Sequence, residues 1–169
     1  MLQKLLILLG MLGLVWCLVD TNLKGHSVYY AKHSSSKNSR DLELVMLVDN
    51  LDSIPRSTVE GVRYNFDAVH MIGTDSIFLA DDESDDGLKQ YLYVDDKRKS
   101  YYFDSKFKLI EIIDVKNEMK HIDITTVNEN NVKNEIYKNL KPVLQELEND
   151  KPLINLQWVF NWVYRDRIN

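Results

Sequence analysis

The chain has 169 residues, 44% hydrophobic and 28% charged, with a net charge of −5, a composition suited to one folded domain rather than a disordered tail. Lys4 is the only charge before Asp20, so the chain beyond Val19 carries 20 basic against 26 acidic side chains; that balance argues against a nucleic-acid or anionic-lipid surface, which needs a basic face. The single cysteine, Cys17, excludes an intramolecular disulfide and sits inside an apolar run, leaving no thiol for catalysis or metal binding.

The first nineteen residues, MLQKLLILLGMLGLVWCLV, are a membrane-targeting segment. Peptidase cleavage wants small side chains after the apolar run, but Trp16, Cys17, Leu18 and Val19 stand there. Acylation of Cys17 would need a small residue where Trp16 sits. An uncleaved signal anchor over residues 1–19 fits better than either alternative. From Leu2 it reaches about 27 Å at about 1.5 Å per residue, enough for a slightly thinned bilayer. With Lys4 held inside, the reading is a single-pass protein of the cell membrane whose domain faces outward.

Residues 20–40 lack apolar periodicity and read as a polar tether, in which Val28, Tyr29 and Tyr30 form a short edge strand or sit at the membrane interface. The domain proper is expected over 41–169. Leu42 to Val48, nearly continuously apolar, reads as its first strand, closed by Asp49, Asn50, Asp52, Ser53 and Pro55. VRYNFDAVHM after Gly61 alternates as a half-buried strand, and further strands are expected at Ser76 to Ala80, Leu88 to Val94, Tyr101 to Phe103, Phe107 to Ile113 and His121 to Val127. Turns at Asp95 to Lys99, at Asp104 and Ser105, and at Lys116 to Lys120 join them into an antiparallel meander. Beyond Val127 the period becomes helical: Val132, Ile136, Tyr137, Leu140, Leu144 and Leu147 share one stripe, and Pro142 should kink or divide that helix. A last helix is expected after an Asp150 cap, with Pro152 in its first turn and Trp158 and Trp162 docked in the core. The fold class is therefore α+β: an antiparallel, curved, meander-like sheet with two or three C-terminal helices, preceded by a transmembrane helix.

Chemistry is harder to find. The acidic stretch DDESDDG fails as an EF-hand, because Tyr93 stands where a bidentate acid belongs, and reads as a solvated hairpin loop. His26, His33, His70 and His121 have no metal-ligand spacing, and nucleophile-elbow, phosphate-loop and dinucleotide patterns are missing. The expectation is a non-enzyme without cofactor or metal. An envelope hydrolase, the competing idea, would need carboxylates meeting in a deep pocket. The aromatic set Tyr91, Tyr93, Tyr101, Tyr102 and Phe103 should divide between the core and an open, Tyr-rich sheet face. Asp81, Asp82, Glu83, Asp85 and Asp86 of the loop, with Tyr91, Tyr93 and Tyr101, are the candidate partner-binding residues.

An N-terminal anchor, a polar tether, a meander containing YLYVDDKRKSYYFDSKFKLIEI and a helical end reading LINLQWVFNWVY resemble the TipC-type immunity proteins. The resemblance covers nearly the whole chain in organisation, without an invariant motif that would carry binding residues across. It implies an outward-facing membrane protein of streptococci and their relatives, with a curved antiparallel sheet and accompanying helices. It also implies a role: protecting the producer from a cognate toxin, exported by type VII secretion, that attacks a cell-wall precursor. The alternative is an accessory or sensor subunit of an envelope complex that binds a peptide, a wall fragment or a membrane protein.

Overall fold

The computed structural model describes residues 2–54, 62–64, 68–71, 75–81, 89–117 and 119–168. The fold is α+β, as expected. Three helices come first: α1 (Leu2–Gly25), α2 (Ser27–Lys32) and α3 (Ser39–Asp49). Seven strands follow: β1 (Val62–Tyr64), β2 (Ala68–Met71), β3 (Ser76–Asp81), β4 (Gln90–Val94), β5 (Lys99–Phe103), β6 (Leu109–Asp114) and β7 (Lys120–His121). A 3-10 turn at Ile124–Thr126 leads to α4 (Glu129–Asn149), α5 (Gln157–Val163) and α6 (Arg165–Ile168). The strands form one sheet in sequence order, every neighbouring pair antiparallel.

α1 is long and apolar enough to cross a membrane. Its helix continues past the apolar run, however, and the expected tether is folded. Leu23 is buried, and α2 buries Val28, Tyr30 and Ala31 in the main core. Tyr30, foreseen in an edge strand or at the membrane interface, is instead a helical core residue whose ring stacks on Phe160 at 5.5 Å. Three aromatic or aliphatic side chains were enough to dock this short, otherwise polar stretch.

Leu42 to Val48 is also helical, not extended. The entire run is buried, Glu43 included. α3 packs against α2, α4 and β3, so no side is left for a polar stripe; a helix buried all round has no visible period and is read as a strand. VRYNFDAVHM likewise contains two antiparallel strands, β1 and β2, rather than one. His121 to Val127 yields only the end of β7. Asp123 ends the extended path there, because its carboxylate accepts from Thr125 N–H and caps the 3-10 turn.

The turns of the meander repeat one device. Asp95 Oδ1 accepts from Lys97 and Lys99 N–H at 2.9 and 2.8 Å, and Asp104 Oδ1 accepts from Lys106 and Lys108 N–H, each at 2.9 Å. The fourth residue of each turn is left-handed: Arg98 at φ 60 and Phe107 at φ 59. That conformation costs a bulky residue about 1–2 kcal/mol. Phe107 offsets it by burying its ring among Phe78, Tyr91 and Phe103, the last stacked at 4.6 Å.

α4 begins where Asn128 accepts from Asn130 N–H, and it runs undivided through Pro142. The carbonyl that Pro142 deprives of a partner belongs to Lys138, on the solvent side, where water can replace the lost bond. Asp150 does not start the last helix. It closes α4, and α5 begins at Gln157, whose N–H donates to Asn155 Oδ1.

Candidate partner-binding face

Period-2 alternation and register divide the sheet side chains into two sets. Across the strands Val69, Phe78, Tyr93, Tyr101 and Ile112 stand in line, and Ala80, Tyr91, Phe103 and Leu109 form a second row. Except for Ala80, which is half-buried, these are all buried. The helix contacts fall on this side: Glu135 of α4 accepts from the Tyr93 hydroxyl at 3.0 Å, Lys133 lies over the Phe107 ring, and Asp49 of α3 accepts from Tyr91. Burial, the largest cause, raises the Tyr91, Tyr93 and Tyr101 hydroxyls well above the ordinary phenol range, and the nearby carboxylates add to it.

The opposite set forms two rows of its own. Ala68, Leu79, Leu92, Tyr102 and Glu111 are successive cross-strand partners, as are His70, Ile77, Val94, Ser100, Ile113 and His121. Ile77, Leu79, Leu92, Val94, Tyr102 and Ile113 are half-buried. At strand spacings of about 4.8 Å, the first row alone crosses about 19 Å. One end is polar: His121 Nδ1 meets Glu111 Oε1 at 2.8 Å.

This geometry reverses part of the sequence reading. Tyr91, Tyr93 and Tyr101, the tyrosines among the candidate partner-binding residues, are 0%, 0% and 9% exposed and belong to the core. Alternation separates odd from even positions here without telling which set the helices will cover. Leu92 and Tyr102, one position away from these tyrosines, face the other way. Asp81 ends β3 opposite Gln90; Asp82, Glu83, Asp85 and Asp86 lie outside the described residues. Trp158 and Trp162, expected in the core, are 73% and 62% exposed.

Several of the described carboxylates stand in ion pairs. A cavity of about 510 Å³ opens between the α2–α3 loop, the β5–β6 turn and α6. Of its two acids, Asp41 is held by Lys133 at 2.7 Å and Asp166 lies 3.5 Å from Arg165. Asp49 meets Arg167 and, at 3.0 Å, Lys89, tying α6 and β4 to the end of α3. Elsewhere Lys32 bridges Glu43 and Glu148 at 3.6 and 3.4 Å. Burial pushes the Glu43 carboxyl up to about 7; Lys32 opposes that rise and Glu148 adds to it. These pairs fasten helices to each other and to the sheet. Comparison with protein-family models, curated proteins and solved structures gives no match.

Proposed function

We propose that this protein is a membrane-anchored immunity protein. α1 crosses the cell membrane, the folded domain faces outward, and the domain neutralises a cognate secreted antibacterial toxin by occluding it. The observation that carries the reading is the pair of cross-strand rows on the sheet face opposite α3 and α4, with Leu79, Leu92 and Tyr102 at the centre of one and Ile77 and Val94 in the other. A half-buried aliphatic and aromatic patch with a polar edge has the anatomy of a protein interface: an apolar centre that a partner desolvates, and a rim that sets orientation. Occlusion asks for no catalytic step, only a stiff scaffold at the place where the toxin arrives. The resemblance in organisation described above supports the same role.

The test uses full-length protein in membranes, with secreted proteins of the same strain as prey, and compares the natural chain with the Leu79→Asp/Leu92→Asp variant. Retention of one large secreted protein, weakened about 100-fold or more in the variant as for a central hot spot, and loss of protection in cells challenged with that protein, are the expected results. Undiminished binding by the variant removes this face from the interface. Retention of membrane or wall components alone replaces immunity with the accessory-subunit role.

A further inference from the structure

A second apolar surface lies beside the outer end of α1. Leu153, Ile154, Trp158 and Trp162 are 103%, 67%, 73% and 62% exposed. Trp158 and Trp162 stand one turn apart on α5, while Val159 and Phe160 of the same helix are buried against the domain. α5 is therefore apolar on two sides, with only one of them covered by the protein.

The position of this surface is held by hydrogen bonds. The Tyr30 hydroxyl lies 2.7 Å from Asn22 Oδ1 and 3.2 Å from the Ile154 carbonyl oxygen, and it accepts from Leu156 N–H at 3.0 Å. Gln157 Nε2 donates to the Tyr30 carbonyl at 2.9 Å, and His26 Nδ1 lies 3.1 Å from the Asp150 carbonyl oxygen. One tyrosine thus clamps the start of the α5 segment to a residue of α1. Asn22 is three residues past Val19, the last of the apolar run, a rise of about 4.5 Å along a helix. The clamp therefore ties the Ile154 carbonyl, through one hydroxyl, to a residue that lies about 4.5 Å beyond the end of the apolar run. Trp is the side chain most at home at that depth, with its ring in the acyl boundary and its N–H among the headgroups.

From this we infer that Leu153, Ile154, Trp158 and Trp162 insert into the outer interface of the membrane that α1 crosses, giving the domain a second, non-covalent foothold. The inference rests on the reading of α1 as a membrane anchor. Adjacency to that span favours lipid over a second protein copy, because apolar surface emerging at the bilayer boundary meets lipid first. The acidic balance of the chain makes the attraction apolar rather than electrostatic, so neutral lipid suffices.

The experiment reconstitutes the full-length protein in phosphatidylcholine vesicles and reads tryptophan fluorescence. Trp16→Phe leaves Trp158 and Trp162 as the only tryptophans. With bromine on the shallow acyl carbons, the lipid should remove most of their emission, and aqueous acrylamide should have little effect. Strong acrylamide quenching with no response to brominated lipid overturns the proposal. So does protection from both quenchers together with concentration-dependent crosslinking, which would assign the patch to a second copy. The Trp158→Phe/Trp162→Phe variant reports on the anchor, since Trp16, about 4.5 Å inside the end of the apolar run at Val19, should be quenched by lipid brominated on the acyl chain. If Trp16 is quenched and the other two are not, the foothold alone is refuted; if Trp16 escapes, the anchor and the foothold fall together.

Discussion

The two faces of the sheet are built from the same residue types and differ in what lies over them. Tyr101 and Phe103 sit beneath helices, and Tyr102 between them points the other way. In composition the two sets are nearly interchangeable, yet one is core and the other is half-buried. What divides them is the placement of α3 and α4, which no strand encodes by itself.

Paired truncations sharpen this contrast most. Phe103→Ala, which empties a ring stacked on Phe107, should cost about 3–5 kcal/mol, whereas Tyr102→Ala, at a half-buried position, should cost about 1 kcal/mol. Urea unfolding of the detergent-solubilised chain would measure both, and equal losses would break the distinction between the faces.

A smaller effect, of opposite sign, probes the helical layer. The buried Glu43 carboxyl is raised from 4.5 to about 7, so the folded protein holds this proton more tightly than the unfolded chain does. Its contribution to stability is greatest below pH 4.5, declines as pH rises to about 7 and is level above that. Glu43→Gln should flatten that slope and stabilise the protein near pH 8 by roughly 2 kcal/mol. Unfolding midpoints across this range would show it, and an unchanged slope would mean that Lys32 already neutralises the group. Smallest is the N-cap of the covering helix: Asn128→Ala should lose about 1 kcal/mol, read as a lower thermal midpoint with the open face's binding unchanged.

Much of this was legible in the residues. The meander from β3 to β6 was readable because Asp, Lys and Ser cluster at the connections between its strands. α4 was readable because its stripe from Val132 to Leu147 has a polar back. Legibility failed where burial is complete or context decides. The Leu42 to Val48 run, buried on all sides, has no period to show. Residues 20–32 look polar on average, although Leu23, Val28 and Tyr30 carry the packing. For Tyr91 and Tyr102 the alternation was visible and its sense was not. The tryptophans of α5 were assigned to the core by size, a rule that weakens beside a segment able to cross a membrane.

α1 passes from its apolar run into the domain as one continuous helix, with Leu23 already in the core and His26 N–H bonded back to the Asn22 carbonyl at 3.1 Å. The domain is thus mounted on a shaft rather than a string, and its compass bearing is a matter of residue count. Each residue added to or removed from the shaft between Val19 and Leu23 would swing the sheet by about 100° and change its height by about 1.5 Å. Along that stretch, number is constrained as strictly as chemistry.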